Sequence, residues 1–188
     1  ITESKFYRIT GAGMQSKGIH PDIVLPSTWD IEEIGESSYD TALPWDEIKP
    51  VRFKKFSMRP TLISKLNDEH LIRVDQSPNL QYILDIRKRY EVQKNKEVIS
   101  LNLTNRRVEK EERQAWALGI ENKRRASLNL ETFDSFKAMQ DYNDVKETED
   151  DERDAEIDVD NDYLLNEGAQ ILSDYAIFNQ NIYLSKTA

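Results

Sequence analysis

Residues 59–93 read RPTLISKLNDEHLIRVDQSPNLQYILDIRKRYEVQ, and the spacing of their apolar positions decides the fold class. Leu62, Ile63, Leu66, His70, Leu71 and Val74 fall on one stripe of a helix with about 3.6 residues per turn. The pattern then restarts. Ser77 can accept a hydrogen bond from the first turn of a second helix, and Pro78 is preset for the first helical position, where no N–H is needed. Leu80, Ile83, Leu84, Ile86 and Tyr90 give this second helix its buried face. Two successive helices, the second restarting at Ser77, predict a helical body.

Working outward toward the C-terminus, VISLNL (residues 98–103) alternates and predicts a short extended piece. Asn105 is then expected to cap a long charged helix, RRVEKEERQAWALGIENKRRASLN. Its apolar residues are few (Val108, Ala115, Trp116, Leu118, Ile120), and no heptad persists as a coiled coil would require. It reads as an amphipathic helix with one contacting end and a solvated start. Asn161 or Asp162 caps a last helix, whose expected apolar face is Leu164, Leu165, Ala169, Leu172 and Tyr175 or Ala176.

Toward the N-terminus the period changes. In KFYRIT (residues 5–10) Phe6 and Arg8 alternate with Tyr7 and Ile9, GAG supplies turn positions, and DIVLP (residues 22–26) is a short apolar run stopped by Pro26. Residues 1–27 are therefore expected as a β segment. Two short strands alone are marginal in water, and no later stretch offers strands to complete a sheet. The expectation is a severed sheet edge, hence a chain that continues a larger protein. Residues 28–58 form an irregular connector carrying Trp29, Tyr39, Trp45, Phe53 and Phe56, aromatics that a long loop uses as anchors. The expected fold class is mainly α with a short N-terminal β segment (α+β), the helical domain occupying residues 59–188.

Composition bounds the function. The 188 residues are 38% hydrophobic and 32% charged, with no cysteine. Disulfides, thiolate nucleophiles and cysteine-based zinc sites are excluded. No apolar run reaches the roughly 20 residues a membrane-spanning helix needs. The net charge of −9 is concentrated: residues 141–162 hold twelve acidic residues against two basic ones, while the rest of the chain is close to neutral. Such a block repels itself, so a solvated loop at about residues 141–160 is expected, and a docking site for a basic partner is the sharper alternative.

Candidate chemistry is thin. His20 and His70 are fifty residues apart, and no G-x-S-x-G places a nucleophilic serine near either. DVDND (residues 158–162) supplies the first oxygen positions of a calcium loop, but Tyr163 stands where glycine is needed and Ala169 where the bidentate glutamate is needed. GAGMQSKG (residues 11–18) lacks the G-K-[ST] of a phosphate loop. The IRKRY and NKRR stretches are basic and near aromatics, but the long helix that ends in NKRR is interleaved with Glu109, Glu111, Glu112 and Glu121, so no net positive stripe forms for nucleic acid. No catalytic constellation, cofactor site or metal site is expected in this chain. Residue chemistry alone describes a mostly helical interaction module.

The stretch KFYRITGAGMQSKGIHPDIVLPS (residues 5–27) resembles the closing stretch of the protease domain in carboxy-terminal processing serine proteases: an aromatic-rich strand, a glycine turn, a glutamine, then K-G-[IV]-x-P-D-[IV]. Phe6, Tyr7, Gly11, Gly13, Gln15 and Lys17-Gly18-Ile19-His20-Pro21-Asp22-Ile23 carry the match. EIGESSYDTALPWDEI (residues 33–48), VISLNL and DYLLNEGAQILSDY make it similar to the larger bacterial branch, the tail-specific proteases. The resemblance implies a periplasmic parent endopeptidase that cuts proteins with apolar, unstructured C-termini. It implies a PDZ domain that captures the substrate tail and a Ser-Lys dyad, both upstream of this chain. Lys17 lies in the closing motif and is not the dyad lysine. Gln15, Lys17, Gly18, Pro21 and Asp22 then have structural roles in turning the chain out of the protease domain.

Two readings stay open on the sequence. In the first, the chain is the non-catalytic region of such a protease; it braces the PDZ and catalytic domains or binds substrate or an adaptor. In the second it is an independent helical adaptor. The expected interface residues are Trp29, Trp45, Phe53, Phe56 and Trp116. Unpaired strands in residues 1–27 also predict a strand-mediated dimer of the isolated chain.

Overall fold

The computed structural model describes residues 5–54, 60–152, 159 and 162–187. Its helices are α1 (Ile31–Ile34), a 3-10 turn (Glu36–Ser38), α2 (Pro60–Gln76), α3 (Pro78–Lys94), α4 (Leu103–Ser127), α5 (Phe136–Glu152) and α6 (Tyr163–Thr187). The chain divides into two compact units, one of residues 1–69 with 175–188 and one of residues 70–174.

The second unit starts from the break between α2 and α3. The Ser77 hydroxyl accepts from the Leu80 amide, and Pro78 opens α3. The Gln81 side chain reaches back across the break to the Val74 carbonyl at 2.9 Å. Behind this joint, Val74, Leu80 and Ile83 are buried together with Leu84 against them. Each such side chain contributes on the order of 2 kcal/mol of burial. Packing continues from α3 to α4 and from α4 to α5.

The α4–α5 turn is held by side chains. Asn122 donates to the Phe133 carbonyl and accepts from the Phe133 amide, both at 2.8 Å. Arg125 donates to the Glu131 carbonyl and stacks over the rings of Phe133 (4.3 Å) and Tyr142 (5.2 Å). Met139 is buried, and the rest of α5 is exposed or half-buried where its side chains are described. The backbone of α5 takes in residues 141–152 of the acidic segment; residues 153–158, 160 and 161 lie outside the described residues.

In the first unit, Leu62 and Leu66 of α2 are buried. The Lys65 ammonium lies 3.8 Å from the centroid of the Phe178 ring of α6. Residues 5–54 are mostly turns and loop around α1.

The expected α+β class is corrected. Among the described residues there is no β-strand; residues 5–27 contribute only isolated bridges, Tyr7 to Gly13 and Ala12 to Glu47. The reason is where the backbone hydrogen bonds go. The Arg8 amide bonds the Ala12 carbonyl and the Gly11 amide bonds the Arg8 carbonyl, which folds KFYRIT back on itself after a few residues. The Gly11 carbonyl accepts from the Ile48 amide, the Gly13 amide donates to the Asp46 carbonyl and the Gly13 carbonyl accepts from the Trp45 side chain, so no continuous ladder develops. DIVLP is irregular throughout.

Two helix-level expectations also shift. Asn102, not Asn105, caps α4: its side-chain oxygen accepts from the Thr104 and Asn105 amides. Residues 98–102 are non-helical and Leu103 already belongs to α4. On α6 the expected apolar face is turned outward, with Leu165 and Leu172 exposed while Glu167 is buried.

Candidate functional site

The motif residues meet the connector in the first unit. Gly11 takes φ +88°, a conformation that costs glycine little and a Cβ-bearing residue much. This lets the Ile48 amide donate to the Gly11 carbonyl at 2.8 Å, while the Gly13 amide donates to the Asp46 carbonyl at 3.0 Å and the Val51 amide to the Ile9 carbonyl at 3.0 Å. The approach is close: a Cβ on Gly11 would collide with the Ile48 carbonyl, and one on Gly13 would lie 2.7 Å from the Asp46 carbonyl oxygen.

Side chains lock the same contact. The Trp45 indole donates to the Gly13 carbonyl at 3.0 Å, and its ring carries the Lys17 ammonium 3.6 Å from the centroid. Asp46 accepts from Lys5 (3.2 Å) and from the Tyr7 hydroxyl (3.1 Å). Desolvation, and then the Asp46 hydrogen bond and charge, raise the Tyr7 hydroxyl above its ordinary pKa. Glu36 receives the Ser16 amide at 3.2 Å, and the Gln15 amide nitrogen, in the orientation that satisfies both groups, donates to it at 2.7 Å. The Ser16 hydroxyl donates to the Leu43 carbonyl. Ser16 and Gly18 both have φ +59°, and open space surrounds Gly18.

The other expected site residues are dispersed. Pro21 and Asp22 are exposed, and Asp22 has no hydrogen-bond partner among the described residues. Trp29 is 64% exposed and Phe53 41% exposed; Phe56 lies outside the described residues. Trp116 is half-buried in the second unit beneath Arg89, whose guanidinium carbon is 5.4 Å from the ring centroid.

Sequence reasoning missed a polar cluster in the second unit. His70 is 1% exposed, and its Nδ1 lies 2.8 Å from the Glu167 carboxylate. Arg73 donates through Nε to both Glu167 oxygens (3.0 and 3.1 Å) and through Nη1 to Asp174 at 2.7 Å. Desolvation opposes the Arg73 charge, but the hydrogen bonds and charges of Asp174 and Glu167 outweigh it and raise its pKa. The partners are 94 to 101 residues apart in sequence, so no local pattern signals them. A carboxylate-oriented histidine is half of a triad, yet its described partners include no hydroxyl nucleophile. The cluster ties α6 to α2. His20 is exposed. Asp162 spends its carboxylate capping α6 through the Leu164 and Leu165 amides; the preceding residues of DVDND other than Val159 lie outside the described residues. No group of acidic or histidine side chains suited to a metal occurs among the described residues, and no described helix is long and apolar enough to cross a membrane.

The chain therefore offers tightly built joints. Comparison with known proteins gives them a context. The chain is 28% identical over 183 residues to the tail-specific protease of Haemophilus influenzae (strain ATCC 51907 / DSM 11121 / KW20 / Rd), an alignment that covers 96% of this chain and 24% of that protein. The chain thus spans about a quarter of the length of this relative. Residues 29–177 match the family described as the C-terminal domain of tail specific protease (DUF3340), from the start of the connector through most of α6. The chain belongs to this family of protease C-terminal domains.

Proposed function

We propose that this chain is the non-catalytic C-terminal part of a periplasmic serine endopeptidase of the tail-specific type. In this reading a Ser-Lys dyad and a PDZ domain elsewhere in the parent cut and capture proteins with apolar C-termini, and the chain braces the protease domain. The observation that carries the reading is the joint between residues 9–18 and 36–51. There the protease-like closing motif is fastened to the connector by backbone pairing at Gly11 and Gly13, by Trp45 and by Glu36. A strap of this kind holds the connector against the last segment of a catalytic domain. The relative's name supports the protease assignment, and the motif residues support the place of the joint.

The test is a peptidase assay with a fluorogenic peptide ending in an apolar C-terminus. The full-length protein containing this chain is expected to cleave it, and the isolated 188-residue chain is expected to show no turnover. Turnover by the isolated chain, or none by the full-length protein, contradicts the proposal.

A further inference from the structure

The connection between α3 and α4 is an exposed, non-helical stretch that carries three large apolar side chains. Val98, Ile99 and Leu101 are 76%, 62% and 97% exposed, and Val92 of α3 and Leu103 of α4 are exposed as well. Among the described residues, no backbone hydrogen bond engages residues 97–101. Such a row of free amides and carbonyls, flanked by exposed apolar side chains, is what an added strand pairs with.

The stretch is held at both ends. The Ser100 hydroxyl accepts from the Asn102 amide and from the Asn105 side chain, which fastens the C-terminal end to the start of α4. At the other end the Lys96 ammonium pairs with Glu109 at 2.6 Å, and Arg106 joins the same carboxylate at 2.7 Å. A partner strand therefore meets a template whose ordering cost has already been met in folding.

Charge defines the partner. A groove beside the stretch is lined by Arg89, Lys96, Ile99, Arg106 and Arg113, among other residues, with Glu109 and Glu112 as its acidic members. Glu109 is already occupied by Lys96 and Arg106, whose hydrogen bonds hold its carboxyl below the ordinary value. Arg113 has no ion pair among the described residues, and Arg89 Nε is buried without a hydrogen-bond partner. Residues 87–113 hold nine basic against five acidic side chains. A neutral or cationic strand would leave this field unmatched; carboxylates on the strand match it.

We propose that residues 97–101 and the adjoining Arg89–Arg113 groove form a docking site for an extended segment of a partner protein that alternates apolar and acidic residues, bound by strand addition. This does not depend on the protease assignment. The probe is a fluorescein-labelled, end-capped octapeptide of alternating valine and glutamate, titrated with the 188-residue chain and followed by anisotropy, beside its valine–lysine counterpart. The expected result is saturable binding of the valine–glutamate peptide alone. Ile99→Asp and Arg113→Glu are each expected to weaken it by about tenfold or more. Both side chains are exposed, so far-UV circular dichroism is expected to be unchanged. Absence of saturable binding, equal binding of the lysine peptide, or indifference to Ile99→Asp overturns the proposal. Sedimentation showing a dimer that Ile99→Asp dissolves also overturns it, by assigning the surface to a second copy of the chain.

Discussion

At Gly11 a left-handed backbone and a carbonyl lying where a Cβ would go act together. Gly11→Val is expected to destabilise the first unit by at least about 2 kcal/mol, since neither the strain nor the collision can relax without opening the Ile48 pairing. Thermal unfolding followed by the fluorescence of Trp45, in a chain with Trp29 and Trp116 replaced by Phe, measures this. Gly119 on α4 is the reverse case: nothing lies within 4 Å of a Cβ there, and Gly119→Ala is expected to stabilise the chain by about 0.5–1 kcal/mol in a denaturant titration. In the second unit, Glu167→Ala leaves His70 and Arg73 without their shared carboxylate. It is expected to cost about 3 kcal/mol, near the low end for a broken buried pair because Arg73 is 26% exposed. Tyr82 supplies a pH dependence. Burial first, and then the Glu121 charge, raise its pKa above 10.0 in the folded chain, while the unfolded chain has the ordinary value. The stability it contributes is fully present below the unfolded pKa and is lost as pH rises through the folded one. Tyr82→Phe is expected to weaken the loss of stability above about pH 10 in alkaline unfolding curves.

At the scale of elements, local signals were legible where a single short pattern suffices. Ser77-Pro78 marked the start of α3, and the four-residue spacing of Leu62, Leu66, His70 and Val74 marked the buried line of α2. Sequence alone does not separate Asn102 from Asn105 as the cap, since both are followed by helix-compatible residues; the choice rests on which side chain reaches two free amides. Asn102→Ala is expected to cost about 1 kcal/mol and Asn105→Ala under about 0.5 kcal/mol, read by urea unfolding. The face of α6 was misread for a different reason. Its apolar residues define one stripe, but Arg73 and His70 draw Glu167 and Asp174 inward, and Leu172 is left exposed. Long-range ion pairing overrode amphipathicity, and nothing within α6 announces it.

For the molecule as a whole, the helical character was legible, while the β segment expected at residues 1–27 is absent among the described residues. KFYRIT has strand-like alternation, but a strand also needs a neighbour with free donors in register, and residues 46–51 supply only isolated pairings through two glycines. The candidate site was legible only in part, through the motif residues 11–18 and the stretch of residues 33–48; that Glu36, Leu43, Asp46 and Ile48 receive the motif is a long-range pairing that neither stretch signals. The central claim is that this joint fastens the connector to the protease domain and thereby supports catalysis in the parent protease. The most direct test places Gly11→Val in the full-length protein and measures cleavage of the apolar-tailed peptide, with Gly119→Ala as the neutral control. The account predicts a marked fall in kcat/KM for Gly11→Val and wild-type activity for Gly119→Ala. Wild-type activity in a Gly11→Val protein whose Trp45 contact is shown to be lost would contradict it.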